Sequence, residues 1–397
     1  MLMSSEPGAP ATTGTIPLSV PELRGREAEY LAECVSSGWV SSVGPFVDRF
    51  EREVAGYVGA QRGVATVNGT SALHLALLVA GVQPDDEVLV SDITFIAPAN
   101  AVRYAGAWPV FIGAEPEHWQ IDPEAVRAFC EEECVWRDGA LFNKATQRRV
   151  RALIAVHVLG HPVHLDPLIE ITKKYGLALI EDCAEAIGTE YRGQRVGTFG
   201  DAAAFSFNGN KVITCGGGGM LISKNEAWLE RAKYLSTQAK DDPLEYVHHA
   251  VGYNYRLTNL QAAVGCAQLE LLDSFLEIKR AIAARYAAAF AEVPALSFMR
   301  EAAWAKSIYW LSTVLVDEAQ CGLSSRALLR QLAARGIQSR PLWQPLHLSP
   351  AFAGCQSYRC AAGRDLHRDA LSLPSSTGLT ADDQQRVVSE ILAAVQP

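Results

Sequence analysis

The fold is decided by residues 63–90, which read GVATVNGTSALHLALLVAGVQPDDEVLV. Two short apolar runs, Val64–Val67 and Glu87–Val90, flank the segment SALHLALLVAGV, which is apolar on every face. This order predicts a strand, a packed helix and a second strand. Because neither strand alternates apolar and polar residues, we expect both faces of each strand to be buried, as in a parallel sheet.

The same alternation continues along the chain beyond Val90. Apolar runs predict further strands, with the helical stretch LDPLIEITKKYG between two of them; the runs are WPVFIG (108–113), RALIAVHV (151–158), LALI (177–180), AAAFSF (202–207) and GGMLIS (218–223). Strands that alternate with helices predict an α/β fold whose large domain has a mainly parallel sheet covered by helices. The last two runs would add a pair of strands, for which a hairpin at the sheet edge is one arrangement.

The character of the sequence changes after Tyr255. Residues 258–290 contain no proline and many strong helix formers, which predicts one long helix. We therefore expect a large domain at 16–255, and a long linking helix with a smaller C-terminal α+β domain at 256–397. Residues 1–15 lack the basic and apolar regions of a signal peptide and are expected to be a flexible tail.

Composition and charge exclude several classes of protein. Hydrophobic residues make up 49% and charged residues 20% of 397 residues, which are values of a globular protein. A formal net charge of −9 argues against binding to nucleic acid or to an anionic membrane, and no apolar run is long enough to span a bilayer. Nine cysteines without a CxxC pair fit a reducing compartment, so we expect a cytoplasmic protein.

The loop Asn68-Gly69-Thr70-Ser71 joins the first predicted strand to its helix. Backbone N–H groups in the first turn of a helix bind anions, and the small residues Gly69, Thr70 and Ser71 leave room for a phosphate. The alternative is an ordinary helix cap formed by Thr70 or Asn68.

Two acidic residues, Glu181 and Asp182, end the strand LALI. Ligands of parallel sheets sit beyond the carboxyl ends of the strands, where an acid can pair with a cationic ring nitrogen. Alternation along the strand makes the two side chains face opposite ways, and the sequence does not decide which one faces the ligand. A helix cap or a surface carboxylate is the alternative.

Lys211 stands out among nine lysines, because it lies between two apolar runs in SFNGNKVITCGGGG. Partial desolvation of a lysine favours the neutral, nucleophilic amine. Phe95 follows another strand end and can cover a flat ring, and Ser206 can give a hydroxyl to an anion. The alternatives are a surface lysine, a core phenylalanine and a strand cap. Taken together, these residues are the parts of a pyridoxal phosphate site.

Three histidines, His157, His161 and His164, raise the question of a metal site. Gly160 and Pro162 interrupt any helix that would bring them to one face, and no HExxH pattern accompanies them. We therefore predict no metal. The acidic run EEEC near Glu131 is interpreted as a solvated helix face.

Five motifs in order resemble the sugar aminotransferases of the DegT/DnrJ/EryC1/StrS group. They are NGTSALHLAL (68–77), TFIAPANAV (94–102), LIEDCAEAIGTEYRG (179–193), FSFNGNKVITCGGGGM (205–220) and GYNYRLTNLQAAVGCAQLE (252–270). The resemblance runs from Ile16 to Glu270, and PLHLSPAF (345–352) and LSLP (371–374) extend it. It implies fold type I, the fold of aspartate aminotransferase, and a homodimer with active sites at the subunit interface.

The resemblance also implies roles for individual residues. Lys211 would form the Schiff base with pyridoxal 5′-phosphate, which passes through the pyridoxamine form, and Asp182 would pair with the pyridine nitrogen. The other cofactor contacts implied are Gly69, Thr70, Ser71, Phe95, Glu185, Ser206, Asn208 and, from the partner subunit, Asn254. The substrate contacts implied are Trp39 and Val40 of the loop WVSSVGP, together with Arg256 and His347.

One departure from the family pattern concerns the substrate. Many members read GEGG after the lysine, whereas this chain has Gly217 in place of the glutamate. The four-glycine form and residues 236–249 resemble the aminotransferases of legionaminic acid and bacillosamine pathways. The substrates implied are L-glutamate and a UDP- or GDP-linked 2-acetamido-2,6-dideoxy-4-keto-hexose, aminated at C4. The alternatives are a sugar dehydratase on the same scaffold and a non-catalytic pyridoxal-phosphate-binding regulator.

Overall fold

A ten-stranded sheet runs through the centre of the protein, whose computed structural model describes residues 14–242 and 244–395. A four-stranded and a three-stranded sheet accompany it. The strands are β1 (Gly63–Thr66), β2 (Glu87–Ser91), β3 (Trp108–Ile112), β4 (Cys134–Arg137), β5 (Ala140–Asn143), β6 (Arg149–Val156), β7 (Ala178–Asp182), β8 (Glu190–Tyr191), β9 (Gln194–Arg195), β10 (Ala202–Ser206), β11 (Gly219–Ser223), β12 (Leu296–Phe298), β13 (Ala305–Lys306), β14 (Ser312–Val316), β15 (Arg340–Pro341), β16 (Ser357–Tyr358) and β17 (Ala370–Leu373). The tail expected at residues 1–15 lies almost wholly outside the described residues.

Helices connect most of these strands. They are α1 (Glu27–Ser37), α2 (Pro45–Val58), α3 (Gly69–Val79), α4 (Ala97–Tyr104), α5 (Pro123–Ala128), α6 (Leu165–Lys174), α7 (Glu226–Ser236), α8 (Asn259–Leu269), α9 (Leu272–Phe290), α10 (Glu318–Cys321), α11 (Ser325–Ala334), α12 (Ala361–Asp369) and α13 (Ala381–Val395). Within the described part of the chain, no helix combines the length and the apolar character needed to cross a membrane.

The large sheet is mainly parallel, as the sequence predicted. Its strand order is β1-β11-β10-β7-β6-β2-β3-β16, with the β4–β5 hairpin attached to β6. All neighbours from β10 to β16 along this order are parallel. The carboxyl ends of β7, β10 and β2 therefore lie at one edge of the sheet, where parallel sheets bind their ligands.

The prediction of an edge hairpin for the last two apolar runs is wrong. β10 and β11 do pair antiparallel, but β11 also pairs with β1 and so lies inside the sheet. All five residues of β11 are buried, in keeping with a run that is apolar on both faces. A Cβ atom on Gly219 would lie 2.5 Å from the carbonyl carbon of Asn68, so only glycine lets β11 approach the chain here.

The single long helix predicted for residues 258–290 is two helices. α8 ends at Leu269 and α9 begins at Leu272; α8 packs on one core, whereas α9 starts on that core and continues onto a second one. Ala262 and Cys266 of α8 belong to the core around the large sheet, whereas Ile282 and Tyr286 of α9 belong to a second core.

The second apolar core lies between α9, α11, α13 and the four-stranded sheet β12-β14-β17-β15. It also takes in Ile16, which forms a backbone bridge with Ile337. The first core extends past Tyr255 through Phe275 at the start of α9, and it also includes later residues such as Trp310, Leu342 and Ala370. The expected boundary between 255 and 256 stays a prediction, and these contacts place α8 on the large sheet.

Candidate active site

The N-terminus of α3 meets the end of β10. Asn68 caps α3, since its Oδ1 atom accepts a hydrogen bond of 2.8 Å from the Ser71 amide. A Cβ atom on Gly69 would lie 2.8 Å from the Cβ atom of Ser206, so the glycine allows the two backbones to come together. Gly69 and Ser71 are buried, and Thr70 is half-buried. The four residues predicted to hold a phosphate thus surround one helix N-terminus.

Glu181, the first acid at the end of β7, is fully enclosed by protein groups. Its carboxylate accepts hydrogen bonds from the amides of Gly197, Phe199 and Gly200 at 2.8–2.9 Å, and it lies 3.2 Å from His157 Nε2. Burial alone would raise the pKa of Glu181, but His157 and the amides hold it below its usual value. Glu181 therefore fastens the 197–200 loop to the sheet.

Asp182, the second acid, faces the opposite way and is 3% exposed. Its Oδ1 atom accepts a hydrogen bond of 3.0 Å from the Ala184 amide. Burial raises the pKa of the Asp182 carboxyl, while the Ala184 amide and the charge of Lys211 oppose the rise. Of the two neighbouring acids, Asp182 is the one on the side of Lys211, and its environment favours pairing with a cation.

Lys211 lies in the connection between β10 and β11, beside the buried carboxylate of Glu185. Its Nζ atom is 3.6 Å from Glu185 Oε1, and its side chain is 14% exposed. Glu185 Oε2 accepts a hydrogen bond of 2.8 Å from the Leu159 amide. Burial raises the pKa of Glu185 to about 7, against the opposing effect of the Lys211 charge. The carboxyl group beside the Lys211 amine can therefore gain or lose a proton near neutral pH.

Trp310 is a site residue that the sequence did not reveal. The Lys211 Nζ atom lies 4.3 Å from the centre of the Trp310 ring, and the indole Nε1–H donates to the Asn210 carbonyl at 2.9 Å. A cation over an aromatic face is stabilised by the ring. Trp310 belongs to no recognisable motif and is 100 residues from its Asn210 partner, so only the folded chain brings the two together.

Five predicted residues lie at the surface of this single chain. Phe95, in the loop between β2 and α4, is 54% exposed. Trp39 and Val40 are 49% and 44% exposed, and the Trp39 carbonyl accepts a hydrogen bond from Asn259. Asn208 and Asn254 are also exposed. Their side chains are thus available to a ligand or to a second subunit.

The two remaining predicted residues are engaged within the chain. Arg256 has a side chain that is 7% exposed, and its Nη1 atom lies 2.9 Å from both Glu51 Oε1 and the Ala65 carbonyl. Arg256 therefore forms an ion pair with Glu51 inside the chain, and this geometry gives no support to a contact between Arg256 and the substrate. His347 lies 2.5 Å from Asp92 Oδ1, at the end of β2.

The three histidines of the HVLGHPVH run have separate partners. His157 contacts Glu181 and accepts from the Val163 amide, and His161 Nε2 accepts from the Ala302 amide. His164 stacks on Trp304, with ring centres 5.1 Å apart. His157, Glu181 and Cys183 do place ligand-type atoms within 4.8 Å of one another, but the contacts of Glu181 and His157 already satisfy both side chains.

The chemistry of these residues fits pyridoxal phosphate. The cofactor has a phosphate, a cationic ring nitrogen and a carbon that reacts with an amine, and the chain offers a helix N-terminus, a buried carboxylate and a lysine for them. The close approach at Gly69 leaves no side chain in the way of the phosphate. Phe95 is an exposed aromatic ring at the same edge of the sheet.

Comparisons with known proteins agree with the interpretation of this site as a pyridoxal phosphate site. A profile of the DegT/DnrJ/EryC1/StrS aminotransferase family matches residues 21–392. The putative pyridoxal phosphate-dependent aminotransferase EpsN of Bacillus subtilis (strain 168) is 40% identical over 379 residues, which are 94% of each chain. The GDP-perosamine synthase of Caulobacter vibrioides is 36% identical, over 95% of this chain and 97% of that enzyme. The structure of DesV of S. venezuelae with a ketimine intermediate has a TM-score of 0.85 and 32% identity, and covers 97% of this chain and 100% of DesV.

The fold and these comparisons define a pyridoxal-phosphate-dependent aminotransferase of fold type I. The chain belongs to the DegT/DnrJ/EryC1/StrS aminotransferase family, whose members make nucleotide-linked amino sugars. The family, the fold class, the enzyme class and the cofactor predicted from the sequence are thereby confirmed. The roles of single residues and the likeness to the legionaminic acid and bacillosamine enzymes stay predictions.

Proposed function

We propose that the protein transfers the amino group of L-glutamate to C4 of a nucleotide-linked 4-keto-6-deoxy-hexose. The observation that carries the proposal is the buried pair of Lys211 and Glu185, which lies on the Asp182 side of β7. A transaminase needs a lysine that can lose and regain a proton beside the reacting carbon. Pyridoxal phosphate supplies the electron sink and carries the amino group between the two substrates.

Lys211 Nζ is the proposed base that removes the proton from the α-carbon of the amino donor. Glu185 stabilises its ammonium form across 3.6 Å, and the Trp310 ring stabilises the same charge from another direction. Because burial raises the pKa of Glu185 to about 7, this carboxyl can hold a proton beside the reacting lysine.

Asp182 is the proposed partner of the cofactor ring nitrogen. A carboxylate at this place keeps the nitrogen protonated, which strengthens the ring as an electron sink. The position of Asp182 is fixed by the hydrogen bond from the Ala184 amide and by its place at the end of β7. The Gly69–Ser71 turn and Ser206 are the proposed phosphate contacts.

We propose that two copies of the chain share each active site. Trp39, Val40, Phe95 and Asn254 all face outward in a single chain. Exposed apolar side chains that form a contiguous patch commonly mark an interface with another protein chain. A homodimer that brings the partner's loops over this centre would cover the rings and deliver Asn254 to the phosphate.

For the sugar, we propose a UDP-linked 2-acetamido-2,6-dideoxy-4-keto-hexose, on the basis of the four-glycine sequence after Lys211. Gly217 has no side chain where the family pattern has a glutamate, and an added Cβ atom would lie 3.3 Å from Gln261 Nε2. A GDP-linked 4-keto-6-deoxy-hexose is the second candidate. Three relatives named GDP-perosamine synthase, each 36% identical, favour it.

The proposal is tested by nitrogen transfer from ¹⁵N-labelled L-glutamate to each keto sugar, followed by mass spectrometry of the product. We expect the label in the sugar, and a loss of at least about a thousandfold in rate for Lys211→Ala. Lys173→Ala, a change at an exposed lysine of α6, is the matched control. Appreciable transfer by Lys211→Ala would overturn the assignment of the base, and a deoxy sugar without label would indicate a dehydratase.

A further inference from the structure

A second lysine, Lys279 of α9, is buried close to the active site without a role in the reaction described above. Only 2% of Lys279 is exposed, and its ammonium donates hydrogen bonds to the Trp310 carbonyl, at 2.9 Å, and to the Ser375 carbonyl. No carboxylate pairs with it among residues 14–242 and 244–395. Burial lowers the pKa of Lys279 to about 7. A buried lysine without a carboxylate partner destabilises the folded protein. If this position served stability alone, an apolar side chain such as methionine would suit it better.

Ser375, one of the two residues that Lys279 binds, is itself held by other hydrogen bonds. The Ser375 amide donates to the Leu18 carbonyl at 2.7 Å, and its hydroxyl accepts from the Ser312 amide at 2.9 Å. The same hydroxyl donates to the Leu373 carbonyl at the end of β17. Since Ser375 is held by one hydrogen bond of its amide and two of its hydroxyl, the Lys279 side chain is fixed at this end while it binds Trp310.

Trp310, the other residue that Lys279 binds, lies beside Lys211. Trp310 contacts the Lys211 segment twice: its indole N–H binds the Asn210 carbonyl, and its ring lies 4.3 Å from Lys211 Nζ. The ring of Trp343 stacks on Trp310 at an angle of 10° and restricts its rotation. The Trp310 backbone that carries this ring is held at its amide by the Leu159 carbonyl and at its carbonyl by Lys279.

We propose that Lys279 is a positioning residue for the active-site lysine: by binding the Trp310 carbonyl, it sets the indole ring against Lys211. This inference rests on the proposed function, in which Lys211 is the base. One N–H of Lys279 binds the Trp310 carbonyl and another binds the Ser375 carbonyl, and an apolar side chain of equal volume cannot link the two in this way. Without Lys279, the ring moves away and the Lys211 ammonium loses a stabilising neighbour.

The test compares Lys279→Met, Trp310→Leu and the double variant by acylation of Lys211 with acetic anhydride. The full-length chain is used without cofactor at one fixed pH, and the modified peptide is quantified by mass spectrometry. We expect Lys211 to react about fivefold faster in each single variant, because the protonated form is less favoured. The double variant should react no faster than Trp310→Leu alone, since both changes act through the same ring.

Lys306→Met is the matched control, because Lys306 is an exposed lysine that pairs with Glu190 and should leave Lys211 unchanged. Circular dichroism shows whether each variant is folded. If Lys279→Met does not fold, Lys279→Gln takes its place; its amide keeps one donor contact, and an intermediate rate is expected. Unchanged acylation in a folded Lys279 variant, or additive effects in the double variant, would overturn the proposal.

The experiment separates this inference from the proposed function. Acylation is measured without cofactor or substrate, so a negative result leaves the assignment of Lys211 as the base intact. Failure of the wild-type protein to transfer nitrogen would instead refute the proposed function, whatever the acylation rates are.

Discussion

At the scale of single residues, Glu181 and Asp182 are neighbours with different tasks. Asp182→Asn should keep the cofactor bound but lower kcat at least about a hundredfold, because an amide cannot hold the ring nitrogen protonated. In Glu181→Gln an NH2 group replaces one of the two carboxylate oxygens, so at least one of the three backbone amides loses its acceptor, and the free energy of unfolding should fall by about 2–4 kcal/mol. Steady-state kinetics and thermal melting check the two effects. A near wild-type rate for Asp182→Asn would instead make Glu181 the candidate.

Glu185 gives a pH prediction for the cofactor-free protein. Burial raises its pKa from 4.5 to about 7, so between these values the folded protein holds a proton that the unfolded chain has released. The contribution of this group to stability is therefore full below pH 4.5 and is lost as pH rises through 7. Relative to Glu185→Gln, which does not titrate, the free energy of unfolding of the wild type should fall by about 3 kcal/mol across this range. Urea unfolding at several pH values checks it, and parallel curves would contradict the prediction.

The residues that the sequence revealed share a property. Asp182 follows a strand, and Lys211 is flanked by glycines, so local pattern alone marks both positions. Trp310 was missed as a site residue because its partner Asn210 is 100 residues away along the chain. His157 was missed as a supporting residue because no local pattern links it to its partner Glu181. Long-range contacts of this kind leave no periodic signal in a single sequence.

At the scale of secondary structure, the entry into α3 depends on Gly69. The Cβ atom of Gly69→Ala would meet Ser206 at 2.8 Å and push the helix N-terminus from β10. We expect at least about a tenfold weaker affinity for pyridoxal phosphate, because the phosphate contacts depend on this spacing. Gly56→Ala is the control, since nothing lies within 4 Å of its Cβ position and alanine favours helix α2. Equal cofactor affinity in both variants, measured by fluorescence titration, would contradict this account.

The errors in predicting elements have a common cause. The apolar pattern indicated the strands β10 and β11 but not their neighbours, so the insertion of β11 beside β1 was not foreseen. Residues 258–290 have uniform helix propensity, and the break near Leu271 lies where α8, on the first core, is followed by α9, which continues onto the second core. Propensity describes the local chain, whereas strand order and helix breaks are set by tertiary packing.

At the scale of the whole molecule, shared active sites predict complementation between inactive variants. Lys211→Ala and Asn254→Ala should each be impaired alone. When they are unfolded and refolded together, mixed dimers contain one site with both native residues, and about a quarter of the sites should be active. Activity of the mixture equal to the mean of the two separate variants would show that each site is built from one chain.

The most direct test of the central claim is the absorption spectrum of the purified protein with pyridoxal phosphate. We predict that the band of the lysine-bound cofactor forms, fades when L-glutamate is added, and returns when the UDP-linked acetamido 4-keto sugar is added. Lys211→Ala should never show this band. A band that forms in the wild type but ignores glutamate would contradict the proposed amino donor. A band that also forms in Lys211→Ala would contradict the assignment of the lysine on which the account depends.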